Sequence, residues 1–317
     1  MAPLRQTSMV PHMVHHMVAN SIVCFLALAV IILRIYSRVT TQAGLGYDDA
    51  FILVSMAVGI ALLSVQGLLC TSGIGYPIQE VGENYLLLID LITASNALFI
   101  IATITYKSSI LSFYLRIFSN NTKTRIATYI SMVFFVAWGV ACFVELFAVC
   151  RPGPGDISKE TCDRNAVLKD VSILCIIGDL VVLLLPMPAI WNLQMNRRSK
   201  TKLTFLFLLG FIVTIIAIMR YVSIIQQDFN TPEFALAFQD PLAYTVLEPN
   251  MGILCASLPM VHNQLSAWKT KLFDTIKSRP EPQSKSSHVV SRGTDWNPST
   301  ISGDSRYGYT VSITAGR

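Results

Sequence analysis

Charged residues are scarce in this chain of 317 residues: they make up 14% of it, whereas 53% of the residues are hydrophobic. An ordinary soluble domain carries about 25% charged residues. The chain also lacks a glycine-rich phosphate-binding motif, an HExxH motif and a CxxC motif, so no nucleotide site and no metal-ligating set is expected. The net charge of +5 is spread between apolar blocks and the C-terminal region. We therefore expect no nucleic-acid partner, which would need a basic face.

Seven apolar stretches are long enough to cross a bilayer, which takes about 20 consecutive residues. Each is predicted to be a helix, because backbone polar groups in lipid must bond to one another. The first stretch runs into Arg34 and Arg38 rather than a small-residue cleavage site, so we expect a retained span. The predicted spans are 17–35, 48–70, 85–106 with a continuation to 118, 126–150, 167–193, 203–225 and 240–261.

Lysine and arginine favour one side of the predicted membrane. The connections after the first, third and fifth spans, together with the tail, hold eighteen of them, against five on the other side. Basic residues stay preferentially in the cytoplasm, so the N-terminus is predicted outside. The predicted fold is an all-α, seven-transmembrane helix bundle in the plasma membrane or an endomembrane. Its parts are an extracellular segment (1–16), the membrane domain (17–265) and a disordered cytoplasmic tail (266–317), which is too polar to bury a core.

Five charged residues lie inside the predicted spans, where an unpaired charge costs several kcal/mol. We therefore expect them to face the interior of the bundle. One interpretation is contact between helices, for example Arg220 with Glu248. The other is a polar ligand pocket open to the outside, and the excess of acids would then attract a cation or hold protons. The five residues are Asp90, Glu145, Asp179, Arg220 and Glu248.

Asp48 and Asp49 open the second span. Carboxylates at a helix start accept free backbone N–H groups and suit the positive end of the helix dipole. They are also placed to pair with the basic residues predicted on the cytoplasmic side. The cytoplasmic ionic cluster predicted from these residues contains Arg34, Asp48, Asp49, Lys107 and Arg116, and Arg38 is a further candidate partner.

Two cysteines, Cys150 and Cys162, bracket a short loop on the predicted outer side. The exterior is oxidising, so a disulfide between them is expected, with Cys70 as a competing partner. The other cysteines lie in apolar spans and are interpreted as small core residues. The seventh span lacks the lysine that a retinal Schiff base needs, so no retinal and no other cofactor is expected.

Several segments in order, RIYSRVT…GYDDAFILVSM, YKSSILSFYLRIF, the CRPG…C loop, IIGDLVVLLLPMPAIWNLQMNRRSKTKL, FLFLLGFIVTIIAIMRY and LEPNMGILCASLP, resemble the fungal rhodopsin-domain proteins. These are seven-helix fungal membrane proteins. Some are Pth-type and similar to G-protein-coupled receptors, and others are found in secondary-metabolite gene clusters. The likeness covers residues 22–265. This chain lacks the tryptophan that is often present between the outer-loop cysteines. It also lacks the extracellular cysteine-rich domain that some receptor-like members carry. The resemblance places weight on Arg34, Asp48, Asp49, Lys107, Arg116, Asp179, Pro186, Pro188, Lys202, Arg220, Glu248 and Pro259.

The sequence supports three hypotheses of function. The first is a receptor-like sensor of an extracellular small molecule with a cytoplasmic signalling partner, and it assigns no catalytic residue. The second is a membrane-embedded enzyme or accessory factor in secondary metabolism, with Asp179 and Glu248 as candidate acids. The third is a cation- or proton-coupled transporter, motivated by the excess of intramembrane acids. In all three the bilayer is the surrounding partner.

Overall fold

A computed structural model describes most of the chain, and its regular elements are all helical in the described residues. Those residues are 11–40, 44, 46–76, 85–119, 121–149, 164–188, 197–227 and 234–277. A π-helical turn, Glu145–Val149, prolongs the fourth long helix, and a short helix, Phe234–Ala237, precedes the seventh. The long helices are α1 (Pro11–Thr40), α2 (Tyr47–Ser72), α3 (Tyr85–Ile117), α4 (Thr122–Val144), α5 (Arg164–Leu184), α6 (Arg197–Ile225) and α7 (Gln239–Lys277).

The chain divides into two units, Met1–Leu272 and Phe273–Arg317. The first contains α1 to α6 and most of α7. Of the second, the described residues are the end of α7, 273–277. The boundaries predicted from the sequence, 1–16, 17–265 and 266–317, stay predictions, although α7 continues past residue 265 to Lys277.

Both ends of α2 are capped. Backbone N–H of Gly46 donates to Oδ2 of Asp49 at 3.1 Å, so this carboxylate caps the helix. At the other end, Gly73 takes a φ of 106°, the left-handed conformation that a residue without Cβ adopts readily. The interpretation of Asp49 as a capping residue therefore agrees with its geometry.

The fifth helix is interrupted within the span predicted at 167–193: residues 187–188 are helical again, and 189–193 lie outside the described residues. Regular helix stops at Leu184, two residues before Pro186, because proline has no N–H to continue the backbone bonding. The carbonyl that Pro186 leaves without its helical donor is that of Val182. The hydroxyl of Tyr114 in α3 donates to it at 3.2 Å. A side chain from a neighbouring helix thus replaces the missing backbone donor.

Five helical segments are long and apolar enough to cross a membrane, among the residues that were described. They are Pro11–Thr40, Tyr47–Ser72, Leu86–Ile117, Thr122–Phe147 and Leu206–Ile225. The helices α5 and α7 are not in this set. Lys169, Asp170 and Asp179 charge the short α5, and Glu248 and Asn250 lower the hydropathy of α7. The chain is therefore an integral, multi-pass membrane protein.

The surface is apolar, unlike that of a water-soluble protein, and several charged side chains are buried. Large apolar side chains face outward, with Phe25 70% exposed and Val133 69% exposed. Charged and polar side chains such as Arg34, Gln66 and Glu248 are buried instead. Hydrocarbon around the bundle explains both halves of this pattern, since lipid tails solvate apolar groups and cannot hydrogen-bond polar ones.

Two apolar clusters show that α1, α2 and α3 run in alternating directions and that α6 runs in the same direction as α2. One lies at the end of the bundle that contains Arg34 and Asp48, here called the basic end. It joins the last turns of α1 and α3 to the first turns of α2 and α6 through Ile31, Ile52, Tyr114 and Leu206. The other lies at the opposite end, here called the far end. It joins the complementary ends of the same helices through Met13, Leu69, Leu88 and Ile224.

The predicted disulfide falls outside the described residues, so the pairing of Cys150 with Cys162 stays a prediction. Cys70, the competing partner, is a free cysteine and is buried. The same is true of the four cysteines interpreted as core residues, Cys24, Cys142, Cys175 and Cys255.

Candidate functional site

The basic end holds a buried charge cluster in which Arg34 lies between two aspartates. Its Nε donates to Oδ1 of Asp49 at 2.8 Å, and its Nη2 donates to Oδ2 of Asp48 at 2.7 Å. Its Nη1 donates to the carbonyl oxygen of Ala256 in α7 at 2.8 Å. Because guanidinium donors point in fixed directions, one side chain ties α1, α2 and α7 together.

Arg38 is the second cation of this cluster. Its Nη2 lies 2.9 Å from Oδ2 of Asp48, and its Nε lies 3.3 Å from Oδ2 of Asp49. Arg116 stands at the margin, 4.0 Å from Asp48, with its side chain 48% exposed. The structure thus brings together four residues of the predicted ionic cluster, Arg34, Asp48, Asp49 and Arg116, and adds Arg38.

Lys107, the fifth residue of the predicted ionic cluster, lies elsewhere, near the middle of the bundle. Its Nζ lies 3.1 Å from Oδ1 of Asp179 in α5 and donates to the carbonyl oxygen of Cys175 at 3.1 Å. Nine residues along α3 separate Lys107 from Arg116, or about 13 Å at 1.5 Å per residue. Lys107 therefore lies away from the basic end and beside the intramembrane acid Asp179.

A second ion pair lies beside it and joins α6 to α7. Nε of Arg220 lies 2.9 Å from Oε2 of Glu248, the contact expected from the sequence. The thiol of Cys175 donates to the other carboxylate oxygen of Glu248 at 3.0 Å. The guanidinium of Arg220 also stacks on Phe99, 4.2 Å from the ring centroid. Lys107, Cys175, Asp179, Arg220 and Glu248 form what we call the central cluster.

The central cluster contains two cations and two carboxylates, so its formal charges cancel. The sequence alone indicated an excess of acids, because Lys107 was assigned to a cytoplasmic connection. One thiol and two carboxylates of this cluster, those of Cys175, Asp179 and Glu248, lie close enough to share a metal ion. The ammonium of Lys107 and the guanidinium of Arg220 already supply positive charge there, which disfavours binding of a further cation.

The other two intramembrane acids do not join this cluster. Asp90 is exposed, and Glu145, the first residue of the π-helical turn, is partly exposed. The expectation that all five charges face the interior is therefore wrong for Asp90. It lies five residues into α3 at the far end, where a carboxylate near a helix start can reach water.

Two buried atoms of the central cluster have no hydrogen-bond partner among the described residues. They are Oδ2 of Asp179 and Nη2 of Arg220. Buried polar atoms are nearly always paired, and leaving one unpaired costs about 1–3 kcal/mol. An unpaired carboxylate oxygen in a residue that lines a cavity is a candidate acceptor for a ligand or a water.

A cavity of about 190 Å³ opens from Asp179 and Lys107 towards the basic end. Most of its wall is apolar, contributed by α3, α5, α6 and α7. The wall includes Tyr106, Ile110, Tyr114, Val182, Leu183, Pro186, Met187, Leu206, Phe207, Val213 and Cys255. The polar pocket considered from the sequence was placed on the outer side, whereas this cavity lies on the side of the central cluster nearer the basic end.

Close packing in one wall depends on Gly252. A Cβ at this position would lie 2.7 Å from two atoms of the Tyr106 ring. The hydroxyl of Tyr106 donates to Oδ1 of Asp179 at 3.3 Å, so the position of this ring affects the carboxylate. The glycine therefore lets α7 approach α3 beside the cavity.

Sequence reasoning did not identify Tyr106, Tyr114 or Cys175 as site residues. Aromatic and small residues are common in membrane spans, so nothing in the sequence distinguishes these three. Their hydrogen bonds to Asp179, Val182 and Glu248 depend on how the helices pack. The position of Tyr114 carried a weak signal, because Pro186 leaves a carbonyl without a donor. Which neighbour supplies that donor is not contained in the local sequence.

These features define an integral, multi-pass helical membrane protein with paired charges and a cavity in its interior. More closely, the chain belongs to the fungal rhodopsin domain family, which matches residues 33–267. The resemblance drawn from its motifs is thereby confirmed.

Two curated relatives are similar to part of the chain. "Wortmanamides biosynthesis cluster protein C" from Talaromyces wortmannii is 29% identical over 168 residues, which cover 51% of this chain and 45% of that protein. "SAT4 family membrane protein" from Emericella nidulans is 27% identical over 177 residues, which cover 53% of this chain and 44% of that protein. The chain thus spans less than half the length of either relative. No solved structure matches it.

Proposed function

We propose that the chain is a seven-span, receptor-like membrane protein that binds a lipophilic small molecule in its cavity. In this proposal α5 and α7 complete the seven spans. Each carries one carboxylate of the central cluster, and the pairing of Asp179 and Glu248 with cations lowers the cost of placing those helices in lipid. The bias of lysine and arginine puts the N-terminus outside and the basic end at the cytoplasmic face.

The single observation that carries the proposal is the composition of the cavity. Its walls are largely apolar, and Lys107 and Asp179 are among the residues that line it; Oδ2 of Asp179 has no hydrogen-bond partner among the described residues. Small-molecule sites have this character, a largely apolar surface with a few placed polar groups. The matching ligand has an apolar body and one hydrogen-bond donor, such as a hydroxyl or an amide N–H, that reaches Asp179.

Entry from the bilayer suits this geometry better than entry from outside. Phe207 lines the cavity and is also 38% exposed on the lipid-facing surface. Leu183 and Gly210, on facing parts of α5 and α6, line the same wall. A lipophilic molecule dissolved in the membrane would reach the cavity between these two helices.

A receptor role is supported by the connection between the cavity and the basic end. Cys255 lines the cavity, and the carbonyl of the next residue, Ala256, accepts the bond from Arg34. A ligand that displaces this turn of α7 would therefore change the geometry of the basic-end cluster. That cluster lies where a cytoplasmic signalling partner would bind in the proposed orientation.

The test of binding compares ligands that share an eight-carbon chain and differ in their polar group. The full-length protein is placed in lipid nanodiscs, and its Tm is measured with octan-1-ol, octanamide and methyl octanoate. The alcohol and the amide each have a donor, and we expect them to raise Tm more than the ester, which has none. Equal shifts for all three would contradict a role for Asp179 as acceptor.

The matched variants for this test are Asp179→Asn and Asp170→Asn, both on α5. Asp170 is exposed and outside the cavity. We expect Asp179→Asn to reduce the difference between the alcohol and the ester, because an amide oxygen is a weaker acceptor than a carboxylate, and Asp170→Asn to preserve it. An unchanged preference in Asp179→Asn would remove the residue from the binding site.

The span count and orientation have their own test. A glycosylation acceptor is added at the N-terminus and a protease site at the C-terminus, each in a separate protein. Seven spans with the N-terminus outside predict modification of the first and cytoplasmic cleavage of the second. Both ends on one face would contradict an odd number of spans.

A second candidate function is a membrane-bound accessory factor in secondary metabolism. The name of the Talaromyces relative favours it, since that protein is described as part of a biosynthesis cluster. Metabolite profiling of a deletion strain separates the two candidates. An accumulated precursor would support the accessory role, whereas unchanged metabolites with a lost second-messenger response would support the receptor.

Ion-coupled transport is less well supported, because Lys107 removes the excess of acids that motivated it. We also propose that no retinal is covalently bound, since residues 240–261 contain no lysine. A purified protein without a visible absorption band after incubation with retinal is the expected result.

A further inference from the structure

We infer that His12, His16 and Asp240 form a binding site for a divalent transition metal such as Zn²⁺ at the far end of the bundle. The two histidines are one helical turn apart on α1 and therefore share a face. Asp240 lies in the first turn of α7. Their ligand atoms all lie within 4.8 Å of one another.

The distances agree with coordination of one ion. Nδ1 of His12 and Nε2 of His16 lie 3.7 Å and 3.5 Å from the same oxygen, Oδ1 of Asp240. Two ligands of tetrahedral zinc, each about 2.0–2.1 Å from the metal, are separated by about 3.4 Å. The two histidine–aspartate distances are thus close to those of a shared metal and long for good hydrogen bonds.

One nitrogen of His16, Nε2, has no hydrogen-bond partner among the described residues. This atom is shielded from solvent, and Asp240 lies near. A cation between the three side chains would give this atom a ligand bond. It would also neutralise the carboxylate. Among the described residues, Asp240 forms no ion pair with a lysine or an arginine.

The site is open enough for metal to enter from water. The side chains of His12, His16 and Asp240 are 58%, 27% and 46% exposed. Imidazole nitrogen and carboxylate oxygen are preferred zinc ligands, and three of them leave a fourth position for water. A bound ion would clamp the first helix to the last, on the side that the proposed orientation places outside the cell. This site does not depend on what the cavity binds.

Binding is tested with Zn²⁺ on the full-length protein in nanodiscs, purified through a tag without histidine and stripped with EDTA. We expect saturable binding of one Zn²⁺ per chain and a higher Tm with Zn²⁺ than with Mg²⁺. Added Co²⁺ should give the intense visible bands of a four-coordinate ion. Failure of the folded wild-type protein to bind Zn²⁺ would overturn the site.

The variants His16→Ala and Asp240→Asn each remove one ligand. We expect each to weaken Zn²⁺ binding on the order of tenfold or more, because a three-ligand site loses a third of its ligands. His15→Ala is the matched control, since His15 is exposed on the same helix and outside the group. An unchanged Tm in EDTA shows that a variant is folded. Zn²⁺ affinities of the folded variants within twofold of wild type would also overturn the site.

Discussion

The two buried charge clusters are alike in composition and differ in how completely their atoms are paired. At the basic end, Arg34 uses all three of its nitrogens on acceptors, and both aspartates receive cations. In the central cluster, an oxygen of Asp179 and a nitrogen of Arg220 have no partner among the described residues. The cavity of about 190 Å³ adjoins the second cluster. Complete pairing is typical of a structural role, and incomplete pairing beside a cavity is typical of a binding role.

The largest expected effect is at the basic end. Arg34→Met would leave Asp48 and Asp49 short of their main partner inside the bundle. Removing one side of a buried ion pair costs about 3–5 kcal/mol. We expect a large fall in Tm and in the yield of monodisperse protein. Arg125→Met, at an exposed position in α4, is the control and should change little. Equal stability of the two variants would show that the basic-end cluster is not structural.

The pair Arg220–Glu248 tests whether the central cluster contributes to stability through its charges. Glu248→Leu leaves Arg220 buried without its carboxylate, and we expect destabilisation of about 3 kcal/mol. Adding Arg220→Met should recover part of that loss, because neither charge then remains unpaired. Thermal unfolding of the single and double variants measures this coupling. Additive losses would mean that the two side chains act independently.

Packing beside the cavity is tested with Gly252→Ala. The added Cβ meets the Tyr106 ring, and overpacking of this kind costs about 1–3 kcal/mol. Gly67→Ala is the matched control, since its Cβ would meet only the flexible end of Met17. We expect a lower Tm and weaker octan-1-ol binding for Gly252→Ala alone. No difference between the two alanine variants would contradict the close approach of α7 to α3.

The smallest expected effect is at the hydrogen bond from Tyr114 to Val182, which replaces the backbone bond that Pro186 cannot donate. Tyr114→Phe removes the hydroxyl that Val182 accepts, with an expected cost of about 1 kcal/mol. Tyr129→Phe, whose ring is half exposed in α4, controls for loss of a hydroxyl. The comparison is made by Tm in the same nanodiscs. A larger effect at Tyr129 would remove the proposed role of Tyr114.

The helices were predictable because lipid leaves the backbone no alternative, and long apolar stretches mark where they occur. The break in α5 after Leu184 agrees with Pro186, which was visible in the sequence, and residues 189–193 of that predicted span lie outside the described residues. The contact of Arg220 with Glu248 was predictable because Arg220 was the sole base assigned to a span. The contact of Lys107 with Asp179 was not, because Lys107 was counted with the basic residues of the connection after the third span, although α3 was expected to continue to residue 118.

The cavity and the far-end histidines needed the packed structure for a different reason. A cavity depends on how side chains from four helices fill the space between them, which no single segment determines. His12 and His16 stand at helical spacing in the sequence. Their third neighbour, Asp240, is separated from them by most of the chain, so the sequence does not predict a metal site.

The contacts between α1 and α7 have a consequence for biosynthesis. Asn20 donates to the carbonyl of Ala243, and Arg34 donates to that of Ala256, so α1 bonds to α7, which the ribosome makes later. Arg34 can meet Asp48 and Asp49 as soon as α2 is inserted. Its remaining donor must wait until the translocon releases α7. Nascent chains that stop before α7 therefore hold polar groups without partners inside the membrane, a state that quality-control proteases are able to recognise.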